Sequence, residues 1–171
     1  MTLPNIVLFA AALATALMAG LFYSYSCSVN PGLGNLPDAE YLGAMQSINR
    51  AILNPGFFIA FFGAAILLPI SAYLNYEPDS VRFWLLAGAA VFYGAGLFGV
   101  TILGNVPLNE MLDKFVPGSA SLSELSAMRV KFEDPWNTYH VIRTVAVIVA
   151  LVLVLAACLC PVKAEDITNT L

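Results

Sequence analysis

The sequence predicts an all-α integral membrane protein, a four-helix bundle with two long amphipathic connections on one membrane face. Three observations carry that expectation: four apolar runs of spanning length, a charge content too low for a soluble domain, and capping residues where the runs begin. Of the 171 residues, 60% are hydrophobic and 11% charged, and the mean hydropathy is +0.82. Soluble domains sit near ~25% charged. At this length a single domain over residues 1–171 is expected.

The first run, about residues 3–29, holds no charged side chain, and a bilayer core of ~30 Å needs ~20 helical residues. It lacks the basic leader and short apolar core of a cleaved signal peptide, so it is read as a span that ends at Asn30-Pro31-Gly32. The second span, about 55–73, opens on Asn54 as cap and Pro55 at the first helical position, with Pro69 placed to kink its far end. The third runs over about 83–103. The fourth covers about 136–160, opened by Asp134-Pro135 and stopped by Pro161. Small residues four apart (Ala12, Ala16, Gly20; Gly56, Ala60, Ala64; Ala95, Gly99) are candidate packing seams.

The connections are unequal. Spans two and three are joined by a tight turn, whereas the other two links carry amphipathic patterns. Asp38 is read as the cap of a segment with Leu42, Met45, Ile48 and Ile52 on one face, and Leu108, Met111, Leu112 and Phe115 follow Pro107 at helical spacing. Ser121-Leu-Ser-Glu124 has the form of a capping box. Counting crossings puts both links on one side, over the mouth of the bundle, and Lys and Arg lean toward a cytoplasmic lid.

Polar residues gather at the lid end. Trp136, His140 and Arg143 stand at i, i+4 and i+7, within about 60° of one another on a helix. Tyr23, Cys27 and Asn30 repeat the spacing in span one, which suggests a shared, lid-covered cavity. An ionisable residue inside a span is costly and is a functional candidate by default, and His140 is the only histidine. Arg143 is its expected electrostatic partner, with Glu133 or Asp134 near enough in sequence to offer Arg143 a carboxylate. The plainer readings are a histidine that bonds across the bundle, to Tyr23 or Asn105, and an arginine that reaches for headgroups.

Several classes fall away. A net charge of −4 with seven Lys and Arg gives no nucleic-acid surface. Cys27 and the Cys158/Cys160 pair lie at opposite membrane ends, too far apart to bridge. No His/carboxylate cluster has metal-ligand spacing and one histidine excludes bis-histidine haem in a monomer, so no metal and no cofactor are expected.

The order Asn30-Pro31-Gly32-Leu33, Met45-Gln-Ser-Ile-Asn49, Asn54-Pro55, Gly104-Asn-Val-Pro-Leu-Asn109 and Trp136-Asn-Thr-Tyr-His-Val-Ile-Arg143-Thr144 resembles the anthrone-oxygenase-like family of small four-helix membrane proteins, over almost the whole chain. Named fungal members oxidise an anthrone to an anthraquinone with O₂, without a bound organic cofactor. The resemblance implies an oxygenase acting on an apolar, enolisable aromatic. In it His140 would be the base, Asn105, Asn109, Gln46 and Asn49 amide donors to an enolate, and Trp136 an aromatic wall, with Tyr23 across the ligand. The expected partners are the lipid bilayer and an apolar small molecule, with room for a homo-oligomer or larger membrane complex, and the expected location a bacterial cytoplasmic (inner) membrane. The competing classes are a non-catalytic accessory or lipid- or small-ligand-binding scaffold, then a small transporter.

Overall fold

The computed structural model describes residues 2–160, which form five helices and one 3₁₀ turn, with no strand among them. Helix α1 covers Leu3–Gly34, α2 Asp38–Ala51, α3 Pro55–Leu74, α4 Val81–Asp113 and α5 Leu122–Leu159. Helices α1, α3, α4 and α5 are each long and apolar enough to cross a membrane, so the chain is an integral membrane α-bundle. They pack in ring order, α1 on α3, α3 on α4, α4 on α5 and α5 back on α1. Pro161, the expected stop of the fourth span, lies outside the described residues.

Two helix ends differ from the sequence reading. Asn30-Pro31-Gly32 does not end α1, which winds on to Gly34. The proline sits where the turn beneath it has already widened to π geometry over Tyr25–Val29, so no α-type bond is lost to its missing N–H. Nor does Asp134-Pro135 start the fourth span. Pro135 lies inside a continuous 38-residue helix whose N-cap is Ser121, with the reciprocal Ser121–Glu124 capping box in place. At the second span the cap is as read, Asn54 Oδ1 accepting from the Phe57 N–H at 3.1 Å. Asp38 is the first residue of α2 and makes no cap bond, Pro37 taking the cap position.

The bundle core runs along Leu8, Ala11, Met18, Phe22, Ala64, Leu68, Leu86, Tyr93, Leu97, Val147, Ala150 and Val154. Its seams are only partly the small-residue rows. Ala60 and Ala64 are buried as expected, but Ala16, Gly20 and Ala95 face outward, and the inward row of α1 is Ala11, Thr15 and Ala19. Alanine suits lipid and a helix contact equally, so its spacing alone does not choose the face. Among the glycines the tightest contact is at Gly96, where a Cβ would lie 2.5 Å from that of Ala146.

Both long links stack at one end as a lid with its own core of Tyr41, Leu42, Met45, Leu112, Leu125, Phe132 and Trp136. Gln46 Nε2 donates to the Leu112 and Phe115 carbonyls at 2.8 and 2.7 Å, tying α2 to the end of α4. Arg129 is the latch on the other side. It donates to the carbonyls of Gly34 and Leu36 and to the carboxylates of Asp38 and Glu133, and lies 4.5 Å over the Tyr41 ring. Burial and the neighbouring Glu133 carboxylate push the Tyr41 hydroxyl above its ordinary range. The exposed Arg50–Asp113 pair adds at most about 1 kcal/mol.

Candidate functional site

Beneath the lid lies a cavity of about 520 Å³, within the range of small-molecule sites. Its inner end is made by α5, on which Trp136, His140 and Arg143 fall on one buried stripe, as the i, i+4, i+7 spacing requires. The imidazole is layered between two rings, stacked on Trp136 at 5.1 Å and on Phe22 at 5.7 Å between centroids. The Arg143 guanidinium lies over the same two rings, 4.7 Å from Phe22 and 5.0 Å from Trp136. Two aromatic faces thus offset part of the cost of burying a cation.

The hydrogen bonds fix the proton on the ring. Arg143 Nη2 stands 3.3 Å from His140 Nδ1, and a guanidinium can only donate, so Nδ1 is the acceptor. The neutral ring therefore carries its hydrogen on Nε2, which donates to Ser26 Oγ at 2.9 Å; the serine hydroxyl donates in turn to the Phe22 carbonyl. Thr144 Oγ1 donates to the His140 carbonyl at 2.7 Å, closing the site from below.

Among the described residues Arg143 has no carboxylate partner. Glu133, the expected partner, is held 2.6 Å from Arg129 Nε instead, and Asp134 makes no ion pair with it. The reason is helical distance: Glu133 is one turn from Arg129 but ten residues, a rise of about 15 Å, from Arg143. Arg143 is 7% exposed and its Nε has no partner. A cation held by π faces and a neutral histidine, with an orphan donor, has the chemistry to receive an oxyanion.

The other sequence candidates separate. Asn109 and Asn49 line the cavity. Asn109 Oδ1 accepts from Trp136 Nε1 at 2.8 Å and holds the indole in plane, while Asn49 Nδ2 is buried without a partner. Asn105 is fully buried, donates from Nδ2 to the Trp136 carbonyl at 3.2 Å with its Oδ1 unpartnered among the described residues, and lies outside the cavity lining. Gln46 is likewise engaged in the lid. Tyr23 is 60% exposed and does not line the cavity, and Cys27 is exposed too. The face of α1 that meets His140 is Phe22, Tyr25 and Ser26, one residue round from the Tyr23, Cys27 and Asn30 stripe. Phe22 and Ser26 are four apart, so the signal was present but half of it was apolar. Tyr25 packs 5.4 Å from His140 and donates to Met45 Sδ of the lid at 3.5 Å.

Gly104 lets the Tyr139 ring lie against α4 beside the site, since a Cβ there would meet that ring at 2.8 Å. Among the described residues there is no group of three His, Cys, Asp or Glu that could hold a metal, and Cys27, Cys158 and Cys160 are all free.

No curated protein and no solved structure matches the chain. The model of one family, described as anthrone oxygenase, matches residues 57–153, a narrower reach than the sequence motifs suggested because it leaves out α1 and α2. The matched segment holds Asn109, Trp136, His140 and Arg143 together and exceeds half of the chain, and on that ground this protein belongs to the anthrone-oxygenase family.

Proposed function

We propose that the lid-side cavity is the substrate site of an oxygenase that takes an apolar, planar, enolisable aromatic ketone of the anthrone type. The observation that carries the reading is the buried His140–Arg143 pair, without a carboxylate, at the inner end of an apolar cavity. A carbonyl oxygen seated on the guanidinium draws Arg143 from its long contact with Nδ1 and leaves that nitrogen's lone pair free. Nδ1 then takes a proton from the ring methylene, and the C–H electron pair moves to the oxygen as an enolate held by Arg143. The enolate gives an electron to O₂ and the two radicals combine, forming a C–O bond; the proton returns from the imidazolium to give a hydroperoxide. Loss of the second C–H proton breaks the O–O bond and expels hydroxide, which leaves as water. Methylene and O₂ become carbonyl and water. Trp136, Phe22 and Tyr25 hold the ring plane, and Asn49 supplies a second donor.

The test is anthrone with the purified protein in nanodiscs, following O₂ uptake and quinone absorbance above the protein-free rate. His140→Gln should assemble normally and lose at least ~10²-fold in turnover. Arg143→Met should lose ~10²–10³-fold, as for removal of an oxyanion donor. Near-normal turnover in folded His140→Gln overturns the base assignment.

One observation favours a second reading, a ligand-binding scaffold without chemistry. Both imidazole nitrogens are already bonded, as in a structural histidine. That reading predicts anthrone binding with no turnover in the wild-type protein.

A further inference from the structure

Helix α3 packs chiefly against Leu3–Ser24 of α1 and against Val81–Gly99 of α4. It diverges from the lid-side segments Tyr25–Val29 and Thr101–Asn105, which turn instead toward α5 and the lid. The divergence opens the cavity sideways. Its outer lining is Phe58 and Phe62 on α3 and Ile102 and Val106 on α4, all substantially exposed on the apolar belt of the bundle. Among the described residues, two that line the cavity carry a buried donor with no partner, Asn49 at Nδ2 on the lid helix α2 and Arg143 at Nε on α5. One cavity thus joins two side chains with unanswered donors to a slot that opens on lipid.

We propose that the ligand of this cavity is a tail-bearing dioxygenated ring, a quinol- or quinone-type lipid. Its two ring oxygens meet Asn49 and Arg143, and its apolar chain leaves between Phe58/Phe62 and Ile102/Val106 into the bilayer. The inference rests on reading the cavity as a ligand site and goes beyond the anthrone-type substrate, since a quinone or quinol ring carries no methylene to oxidise; it does not rest on turnover. A water-facing mouth would be rimmed by polar side chains, whereas this rim is aromatic and aliphatic. A buried unpaired donor costs about 1–3 kcal/mol, and two in one cavity are both answered by one ligand with two acceptors. Because the chain is surrounded by apolar groups inside and outside the slot, the tail adds shape selection more than affinity.

The experiment uses the full chain in nanodiscs with Trp84→Phe, so that Trp136 reports. Two fully ring-substituted benzoquinones, one with a decyl chain and one with methyl groups only, quench its fluorescence, and decylbenzene serves as the oxygen-free competitor. Concentrations are counted per lipid. Both quinones should bind and decylbenzene should not displace them. Asn49→Leu and Arg143→Met should weaken both quinones. Narrowing the slot with Ile102→Phe or Val106→Phe should weaken the decyl quinone by ~10-fold or more and change the methyl quinone by less than about twofold, a steric discrimination of ordinary size for an apolar site. Absence of quinone binding, equal competition by decylbenzene, or an equal effect of narrowing on both quinones overturns the inference. Anthrone turnover is scored separately. Tail-selective binding without turnover sinks the oxygenase reading alone, and turnover without tail selectivity sinks this one alone.

Discussion

Replacing Gly96 with alanine should push α4 and α5 apart, and the structure gives the size of the effect. The added Cβ would lie 2.5 Å from the Ala146 Cβ and 3.8 Å from its Cα. Carbon atoms sit comfortably at ~3.5–4.0 Å, so the contact is short by roughly 1–1.5 Å. Ala146 is buried and has no rotamer to turn away, so the helices themselves must yield. Overpacking of this kind costs about 1–3 kcal/mol. Ala146→Gly in the same chain removes the obstructing methyl and should recover most of that loss, giving a coupling of about 1–2 kcal/mol in the double-mutant cycle. Reversible unfolding in mixed detergent micelles, followed by tryptophan fluorescence, measures all four proteins. If Gly96→Ala is as stable as the parent, or if Ala146→Gly fails to rescue it, α4 and α5 do not approach here as described.

Removing the latch, Arg129→Ala, strands the Gly34 and Leu36 carbonyls and leaves Asp38 and Glu133 without their cation. The lid should lose roughly 2–4 kcal/mol, read as faster hydrogen exchange over residues 36–51 with the spans unchanged; unaltered exchange there would remove Arg129 from that role. In a cysteine-free background, cysteines placed at Glu40 and Glu124 should react with a membrane-impermeant maleimide from the same side. One at Asp79, in the α3–α4 turn, should react from the other, and labelling of all three from one side would break the four-span topology.

Spans were legible because lipid imposes a length and an apolarity that any window can find, and caps such as Asn54 and Ser121 announce themselves by side-chain chemistry. The helix ends at Asn30-Pro31 and Asp134-Pro135 misled for a shared physical reason. Proline marks a missing N–H, and a widened turn at Pro31 or the interior of a long helix at Pro135 can absorb that loss without ending the helix. The α5 half of the site was legible because Trp136, His140 and Arg143 are all chemically conspicuous on one element. The α1 half was not, since Phe22 reads as core and Tyr23 and Cys27 draw the eye to the wrong face. The partner of Arg143 was misjudged because ten residues, close in sequence, are about 15 Å along a helix, and Glu133 had a nearer cation one turn away in Arg129.

The uninterrupted run of α5 through Pro135 has a mechanical consequence. At 1.5 Å per residue, 38 residues make a rod of ~57 Å, nearly twice the ~30 Å hydrocarbon thickness. Its first third therefore stands clear of the acyl chains as a lever, gripped by α2 through Arg129, while its fulcrum is the proline that lacks an N–H. Trp136 is the first residue beyond that fulcrum. Trp136 packs in the lid core and also against His140 and Arg143, so the lever and the inner end of the cavity share one side chain.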